Sequence, residues 1–329
     1  MPAVRPSAVI SSLILLLAAG AGLGLLLGHG SLDSPAAGTL LTLRGWRITA
    51  AALAGAALAV GGVLMQGLFR NPLASPDVLG TTAGATLGGQ MALVAHASML
   101  GWFGATLPAE LLLPLGCLAG AAGALLALLM VGARAAGLVT LLIVGFLLAA
   151  FCGSLSTLLS SLARGDWELA RALQGFGLGG VDGKGAAHAA LAAPLVIIGI
   201  VAAWCWGRPL DLLLAGEEEA AALGVDVAAV RRWALVWTAV LSSAAVAVGG
   251  GAVFVGLIVP HVLRRLLGAG HRTLVPAAAL GGAAFLVCCD DLARSLPLGG
   301  EVPLTVVTGL LGAPLFAVLF LRSQREGLS

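Results

Sequence analysis

The hydrophobic positions of this chain fall into ten long runs, separated by short stretches that carry charges, prolines or glycines. The runs span 8–28, 46–67, 79–95, 111–132, 138–162, 187–206, 232–250, 252–268, 274–293 and 303–321. A helix needs about 20 apolar residues to cross about 30 Å of hydrocarbon, and most runs approach that length. The boundaries around Gly249, Gly251 and Pro260 are the least sharply defined. The pattern predicts an all-α, polytopic membrane protein with about ten transmembrane helices.

The composition supports a single membrane domain. Of the 329 residues, 60% are hydrophobic and 10% are charged, whereas soluble domains carry about 25% charged residues. Apolar runs recur along the whole chain, so residues 1–329 are interpreted as one transmembrane domain. The first run, at 8–28, is longer than the core of a signal peptide, which favours a retained span over a cleaved signal.

The basic residues predict how the chain is oriented in the membrane, and they do not indicate a nucleic-acid partner. The net charge is only +2, and the basic residues are scattered between apolar runs, so no nucleic-acid binding is expected. An even number of spans places both termini on one side of the membrane. Eleven of the 17 basic residues fall on that side, so the positive-inside rule predicts cytoplasmic termini.

A polar interruption, "RNPLASPDVLGTTAGA" at 70–85, separates the second and third runs. Proline disfavours helical geometry at the residue before it, so the preceding helix is expected to end before Pro72. Pro76 prevents an early restart of the next helix. With cytoplasmic termini, this stretch is a cytoplasmic turn.

Several chemistries lack their sequence motifs. A phosphate-binding GxxxxGK[ST] loop is absent, because the single lysine, Lys184, is followed by Gly185. No HExxH or GxSxG motif is present, and the five cysteines have no CxxC spacing, so neither an enzyme, a metal site nor a disulfide is expected. Without the phosphate-binding loop, this chain is not predicted to hydrolyse ATP.

The distribution of acids also disfavours an ion-coupled carrier, the alternative class of transporter. Such carriers usually bury ionisable residues within their spans. Here almost every acid lies between runs, and the exceptions are Asp290 and Asp291 near the end of the ninth. Asp290 lies four residues before Arg294, so the two can pair on one helical face, which favours a structural or surface role.

A long polar connector, "GRPLDLLLAGEEEAAALGVDVAAVRRW" at 207–233, separates the sixth and seventh runs. Its acids suit the first turn of a short amphipathic helix that Gly224 ends, and a second short helix is expected before Arg231. This arrangement suits docking onto a partner, and a solvated connector explains it equally well.

Small residues recur at helical spacing in the second run. Gly55, Ala59 and Val63, with Ala51 one turn earlier, lie on one helical face. This small-xxx-small spacing predicts close helix packing and no chemical site.

Four stretches, some of which contain the residues described above, give the chain a family resemblance. They are "GAALAVGGVLMQGLFRNPLASPDVLGTTAGA" (55–85), "AGEEEAAALGVDV" (215–227), "GGAVFVGLIVPHVLRRLLGAGHRTLVPAAALGGA" (250–283) and "DDLARSLPLGGEVPLTVVTGLLGAPLFAVLFLR" (290–322). In this order and spacing, the chain resembles a permease subunit of the FecCD family of ATP-binding-cassette (ABC) transporters. This family imports ferric siderophores, haem and cobalamin.

The resemblance implies a multi-pass permease of the inner (plasma) membrane, surrounded by lipid and working in an assembly. The implied partners are two ATPase subunits that handle ATP and Mg²⁺, a second permease copy or paralogue, and a periplasmic or lipid-anchored substrate-binding protein. It implies that this chain itself holds no cofactor. The connector 207–231 then becomes the segment that couples to the ATPase, with contact residues Gly216, Glu217, Glu218, Glu219, Ala220, Leu223, Gly224 and Val225.

The resemblance also assigns residues at the two membrane faces. The turn near the inner gate would comprise Arg70, Asn71, Pro72, Leu73 and Pro76, with Arg70 in water and Asn71 bonding exposed backbone. The outer face would receive glutamates of the substrate-binding protein on three arginines, namely Arg44, Arg47 and Arg294. Exposed pairs of this kind are individually weak and would mainly steer docking.

Some positions depart from the family pattern. Trp46 stands where the family usually has proline, Ala172 where a tryptophan is common, and Thr305 where glycine is usual. The stretch "GLVT" at 137–140 lacks a small hydroxyl pair seen in some relatives. The expected substrate is a ferric siderophore, with haem and cobalamin as alternatives.

Overall fold

The computed structural model describes residues 5–27, 35, 37–103, 108–132, 138–181, 183–296 and 302–326, and every regular element in these parts is helical. Ten longer helices coincide with the ten apolar runs. They are α1 (Pro6–Leu26), α2 (Ala37–Leu68), α3 (Thr81–Phe103), α4 (Ala109–Gly132), α5 (Leu138–Leu162), α7 (Ala186–Cys205), α10 (Val227–Gly249), α11 (Val255–Leu267), α12 (His271–Ser295) and α13 (Leu304–Glu326). Three short helices lie between them: α6 (Trp167–Gly177), α8 (Gly207–Leu213) and α9 (Glu217–Ala222).

Seven of these helices are long and apolar enough to cross a membrane: α1, α2, α4, α5, α7, α10 and α12. Helix α11 has 13 residues and is therefore about 20 Å long, which is less than the hydrocarbon thickness. The described apolar part of α13, Leu304–Val318, is also short. The protein is thus an all-helical, multi-pass membrane protein, and length and composition do not confirm the predicted count of about ten spans.

Helix α2 forms the centre of the bundle. Its residues 54–68 are all buried, and it packs against α7, α10, α11 and α12. The outer helices instead present large apolar side chains outward, including Leu15 on α1, Phe146 on α5 and Ile197 on α7. A bilayer solvates such side chains, so this distribution fits a protein surrounded by lipid.

Glycines permit the closest approaches to α2. A Cβ on Gly55 would lie 2.1 Å from the Gly282 carbonyl oxygen, and a Cβ on Gly282 would lie 2.5 Å from the Ala59 Cβ. A Cβ on Gly62 would lie 1.8 Å from the Gly256 carbonyl oxygen. The predicted small-residue face of α2 is confirmed as a packing surface against α12.

A turn inside the bundle separates α10 from α11. Gly250 and Phe254 both have positive φ angles, 64° and 66°. A Cβ on Gly250 would lie 2.7 Å from the Gly179 Cα, so the chain reverses against another backbone segment. The loosely defined boundary between the seventh and eighth runs is this turn.

Candidate functional site

The bundle has two ends that differ in their residues. Helices α2 and α12 run antiparallel between these ends, so the end of α2 lies beside the start of α12. The turn end comprises residues 68–80, 206–226 and 268–271, and His271 at the start of α12 lies beside Gly67 near the end of α2. The arginine end comprises Arg44, Arg47, Asp290, Asp291 and Arg294. An open cavity with several polar side chains in its lining, here called the polar cavity, lies along one side of the bundle.

The turn after α2 forms as its residues predict. Helix α2 ends at Leu68, before Pro72, and Arg70 is exposed with a positive φ of 48°. The Asn71 Oδ1 accepts a hydrogen bond from the Leu73 backbone N–H at 2.9 Å, which stabilises the turn locally. These local predictions are confirmed, while a gating role for the turn stays a prediction.

Pro76 has a packing role in the same turn. It begins a 3₁₀ helix, Pro76–Leu79, whose last residue precedes Gly80 with φ 75°. The Pro76 ring lies against Gly61 of α2 and Gly256 of α11. Pro72 and Leu73 are exposed, whereas Pro76 is buried and anchors the turn to the bundle.

Helix α9 in the connector has well-formed ends. Glu217, Glu218 and Glu219 occupy its first turn, and the Glu219 carboxylate folds back over Gly216, so that a Cβ on Gly216 would overlap it. At the other end the Gly224 N–H donates to the Ala221 carbonyl at 2.9 Å.

The C-terminal end of α9 is a Schellman motif. Gly224 has φ 85°, and the Val225 N–H donates to the Ala220 carbonyl at 3.0 Å, which completes the motif. The predicted helix stop at Gly224 is confirmed.

The predicted second short helix before Arg231 is wrong. Asp226 accepts a hydrogen bond from the Ala229 N–H and thereby caps α10, which then continues without a break to Gly249. The prediction from sequence placed the boundary of a span at Arg231 and Arg232. A charged residue in an early turn does not interrupt helical hydrogen bonding, so the helix extends beyond the apolar run. The additional short helix is α8, which precedes α9.

The outer face of α9 is accessible to a partner. Glu218, Glu219 and Gly224 are exposed, and the Leu223 side chain is 66% exposed. Ala220 is buried beneath them, and Glu217 forms an ion pair with Arg231 at 2.8 Å. The helix therefore presents an apolar side chain beside two acids on a fixed support.

Sequence reasoning missed the contact that joins the connector to the bundle. Asp211 of α8 accepts hydrogen bonds from the His271 backbone N–H at 3.0 Å and forms a 2.6 Å contact with the His271 Nδ1. Burial acts to raise the pKa of Asp211, but the His271 hydrogen bonds outweigh it and the pKa lies below its ordinary value. Only the spatial meeting of residues 60 positions apart reveals this pair.

At the arginine end, Arg47 and Arg294 form a buried ion cluster with Asp290 and Asp291, and Arg44 binds the end of α1 beside it. The Arg47 guanidinium binds both Asp290 oxygens at 2.8–3.1 Å. Arg294 pairs with Asp290 at 3.1 Å and with Asp291 at 2.5 Å. The predicted Asp290–Arg294 pair on one helical face is confirmed, and both side chains are buried.

The cluster also caps the end of α1. The last four carbonyls of a helix have no partner within the helix, and here each accepts a hydrogen bond from an arginine. Arg44 donates to Leu25 and Leu26 at 2.7 and 3.3 Å, and Arg294 donates to Gly24 and Leu27, both at 3.1 Å. These cations also complement the negative end of the α1 dipole.

The expectation that these arginines are solvent-exposed is wrong. Arg44 and Arg294 are only 6% and 8% exposed, and the Arg47 side chain is 14% exposed. Carbonyls of α1 and carboxylates of α12 hold them, because a buried guanidinium requires such partners. Their role in docking a partner stays a prediction, but it cannot rest on freely exposed charges.

The polar cavity has a volume of about 510 Å³ and lies between α3, α5, α6 and the turn after α10. Its lining includes Asp77, Thr82, Thr86, Gln90, Ser156, Thr157, Ser160, Gln174 and Gly251. Thr86, Thr157 and Ser160 each donate their hydroxyl proton to the carbonyl four residues earlier. Their oxygens therefore face the cavity mainly as acceptors.

Sequence reasoning missed this cavity, although its residues left a signal. Thr82, Thr86 and Gln90 recur every fourth residue, which places polar groups on one face of an apolar helix. Asp77 adds a carboxyl at the turn end of the lining. Burial raises the pKa of Asp77 to about 6, so this group is partly protonated slightly below neutral pH.

The segment 177–180 after α6 forms a partition between this cavity and the arginine end. The Thr305 N–H donates to the Leu178 carbonyl at 3.2 Å, and the Leu304 N–H donates to the Gly179 carbonyl at 3.1 Å. The Thr305 hydroxyl lies 2.5 Å from the Leu178 oxygen and 2.6 Å from the Gly251 oxygen. A hydroxyl has one proton, so it can donate to only one of these carbonyls at a time.

Replacing Thr305 with valine is expected to loosen this partition. The variant keeps the side-chain shape but removes the hydroxyl, which costs a hydrogen bond worth about 1 kcal/mol. Amide hydrogen exchange in 177–180 and 250–254 should accelerate about fivefold. Thr305→Ser, which keeps the hydroxyl, is the matched control. Equal exchange in wild type and Thr305→Val would show that the hydroxyl does not hold the segment.

Comparison with known proteins points to one group of transporters. A model of the FecCD transport family matches residues 8–322. The hemin transport system permease HmuU of Yersinia pestis is 38% identical over 297 residues, which cover 87% of this chain and 84% of that protein. The Fe(3+) dicitrate transport system permease FecD of Escherichia coli is 38% identical over 278 residues, which cover 84% of this chain and 83% of that protein.

A solved structure has the same fold. It shows an inward-facing conformation of a metal-chelate type ABC transporter, and it matches with a TM-score of 0.83 at 30% identity. The match covers 96% of this chain and 99% of that chain.

Proposed function

This chain belongs to the FecCD transport family as an ABC importer permease of the metal-chelate type, and we propose that it moves a ferric siderophore or a related metal chelate into the cytoplasm. The observation that carries this proposal is the family match over nearly the whole chain. The names of the relatives support a chelate but not one particular chelate, since one carries hemin and another Fe(3+) dicitrate. Haem and cobalamin are the alternative cargoes.

The proposed topology has ten spans, cytoplasmic termini and a single permease domain over 1–329 in the inner (plasma) membrane. In this arrangement the turn end faces the cytoplasm and the arginine end faces outward. The excess of basic residues at the proposed cytoplasmic face supports this orientation. The short helices, such as α11, would cross only part of the bilayer.

The proposed partners follow from the two ends. Two ATPase subunits would bind ATP and Mg²⁺ and contact α9 through Glu218, Glu219 and Leu223. A second permease copy or paralogue would complete the passage, and a periplasmic or lipid-anchored substrate-binding protein would deliver the cargo. The residues that line the polar cavity would form part of the wall of the passage, because their acceptor oxygens can contact a chelate without holding it tightly.

The paired acids at the arginine end argue against coupling to protons. Asp290 and Asp291 are the carboxylates that an ion-coupled carrier would need within its spans, and both are bound by arginines. Because arginines bind both carboxylates, neither is left as an unpaired binding group for a coupling ion. ATP hydrolysis on partner subunits remains the energy source that fits this chain.

The test uses the permease reconstituted in liposomes with its ATPase and substrate-binding protein. Uptake of a radiolabelled ferric chelate should require ATP and persist when an uncoupler removes the proton gradient. Leu223→Asp should weaken ATPase binding about 30-fold, because it places a charge at the centre of the proposed contact. Leu296→Asp, on an exposed leucine at the opposite end, is the matched control.

Two results would contradict the proposal. Uptake by the chain alone under a pH gradient would indicate a secondary carrier. Unchanged ATPase binding by a well-folded Leu223→Asp variant would return the connector to a solvated loop.

A further inference from the structure

A groove at the arginine end opens on the outer side of the bundle, between α1 and α12. Its volume is about 370 Å³, and most of the side chains that line it are apolar. Leu16 and Leu23 of α1 and Leu292 of α12 belong to this lining, and all three are exposed. Exposed leucines on the spans of a membrane protein contact lipid, so the groove is reached from the bilayer. It is separate from the polar cavity.

One charged group lies inside this apolar groove. The Asp291 side chain lines the groove, and the residue is only 4% exposed. Its Oδ1 binds the Arg294 guanidinium at 2.5 Å, which balances the charge of the carboxylate. Its Oδ2 is buried and has no hydrogen-bond partner among the described residues. A buried oxygen without a donor costs free energy, so the groove contains an acceptor that lacks its donor.

The space in front of this oxygen is left free by a glycine. A Cβ on Gly20 would lie 3.8 Å from the Asp291 Oδ2, and Gly20 itself lines the groove. The exposed side chains of Leu23 and Leu292 can move between staggered rotamers, because no other part of the bundle encloses them. Such a movement lets a ligand atom that enters the groove reach the carboxylate.

Ser295, one turn further along α12, provides a second acceptor in the groove lining. Its hydroxyl donates to the Leu292 carbonyl at 2.9 Å, so the lone pairs of its oxygen remain available. Residues four apart on a helix lie on one face, with their Cβ atoms about 5–6 Å apart. A headgroup with several N–H donors on one atom can therefore bond both Asp291 and Ser295, whereas a single hydroxyl can bond only one of them.

The position of the acceptors along the helices fits a lipid headgroup. Helix α12 has 25 residues and is therefore about 37 Å long, which exceeds the hydrocarbon thickness of about 30 Å. Ser295 is its last residue, and Asp291 lies about 6 Å before that residue. Leu16 lies deeper in the membrane, about 15 Å before the last residue of α1. The polar groups are thus near the headgroup level and the leucines are at the level of acyl chains.

We propose that this groove binds a phospholipid whose headgroup carries a primary ammonium, as in phosphatidylethanolamine. The ammonium donates to the Asp291 Oδ2 and to the Ser295 hydroxyl oxygen, and an acyl chain lies along the leucines of α1. Such a lipid is zwitterionic, so it adds no net charge beside a carboxylate that Arg294 already pairs. The inference goes beyond the proposed transport function, since it needs only that α1 and α12 span a membrane.

The N–H donors separate this lipid from the other common phospholipids. A choline headgroup carries the same positive charge, but methyl groups replace all of its N–H donors, so it cannot bond the Asp291 Oδ2. Phosphatidylglycerol has hydroxyl donors, but it brings a net negative charge towards a carboxylate. Hydrogen bonds between charged partners are also about twice as strong as those between neutral ones, which favours the ammonium.

The test identifies the lipids that stay bound to the full-length chain. Nanodiscs contain equal amounts of phosphatidylethanolamine, its dimethylated derivative, phosphatidylcholine and phosphatidylglycerol, all with the same acyl chains. Native mass spectrometry after release into detergent measures the retained lipids. Phosphatidylethanolamine should be retained about tenfold over phosphatidylcholine, which lacks a hydrogen bond to a charged acceptor. The dimethylated derivative keeps one N–H and should also be retained over phosphatidylcholine.

Two variants test the groove itself. Asp291→Asn should abolish the preference, because its amide leaves an oxygen for Arg294 but places N–H donors where the Oδ2 was. Ala19→Trp, at an exposed position in the lining, should fill the groove and lower retention of phosphatidylethanolamine to that of phosphatidylcholine. Ala18→Trp, exposed beside it but outside the lining, is the matched control and should retain lipid as wild type does. Gel filtration verifies folding, and Ala19→Trp decides the question if Asp291→Asn does not fold.

Three results would overturn the inference. Equal retention of phosphatidylethanolamine and phosphatidylcholine by the wild-type chain would mean that water or another part of the chain satisfies the Asp291 Oδ2. Preferred retention of phosphatidylglycerol would assign the groove to an anionic lipid with hydroxyl donors. A changed oligomeric state of Ala19→Trp, with lipid retention as in wild type, would assign the groove to a partner protein. None of these results affects the proposed function, which ATP-dependent uptake tests separately.

Discussion

Replacing Gly62 with leucine is expected to prevent assembly of the bundle. A Cβ at this position would lie 1.8 Å from the Gly256 carbonyl oxygen and 2.6 Å from its carbonyl carbon. Because these are backbone atoms, no rotamer change can relieve the overlap, and α2 and α11 must separate. The expected loss of stability exceeds about 3 kcal/mol, which is at the upper end for overpacking. Expression and gel-filtration profiles in mild detergent measure it.

The matched control for Gly62 is Gly123→Leu on α4. A Cβ at Gly123 meets nothing within 4 Å, so this variant should elute as wild type. Glycine in a helix interior is itself unfavourable by about 1 kcal/mol relative to alanine, so Gly123→Ala should be neutral or slightly stabilising. A monodisperse, active Gly62→Leu protein would show that α2 and α11 do not pack as closely as the structure has them.

Replacing Arg294 with methionine should produce the second large effect. The substitution leaves Asp291 buried without its cation and removes the donors to the Gly24 and Leu27 carbonyls. Removing one partner of a buried ion pair costs about 3–5 kcal/mol. Denaturant titration in detergent measures the loss. The thiol introduced by Leu23→Cys, near the end of α1, should react faster with a thiol reagent in the Arg294→Met background, because α1 loses its attachment.

Two further variants identify the cause of that effect. Arg272→Met at the exposed start of the same helix, where Arg272 stacks on Trp204, should cost less than about 1 kcal/mol. Adding Asp291→Leu to Arg294→Met should recover part of the stability, because it removes the uncompensated charge. Wild-type stability in the single variant would mean that the cluster does not secure α1.

The sequence determined the features that depend on neighbours in the chain. Apolar runs located the ten longer helices, because the bilayer selects long apolar segments. Pro72, Asn71 and Gly224 predicted two chain turns, since proline, asparagine and glycine act on their own backbone. The i, i+4 spacing of Asp290 and Arg294 likewise predicted their pairing on one helical face. The motifs in order predicted the family, which the comparison over 8–322 shows.

Only the tertiary structure decided what the charged residues do. Arg47 meets Asp290 across 243 positions, and Arg294 meets the end of α1 across about 270, so no local pattern could indicate that these arginines are buried. The same applies to Asp211 with His271, and to the polar cavity beside residues 177–180. Periodicity specifies which face of a helix is apolar, but the packing of α1, α2 and α12 specifies which polar groups lose water. A polar group that loses water must find a partner, and that requirement explains why Arg44, Arg47 and Arg294 are buried among carbonyls of α1 and carboxylates of α12.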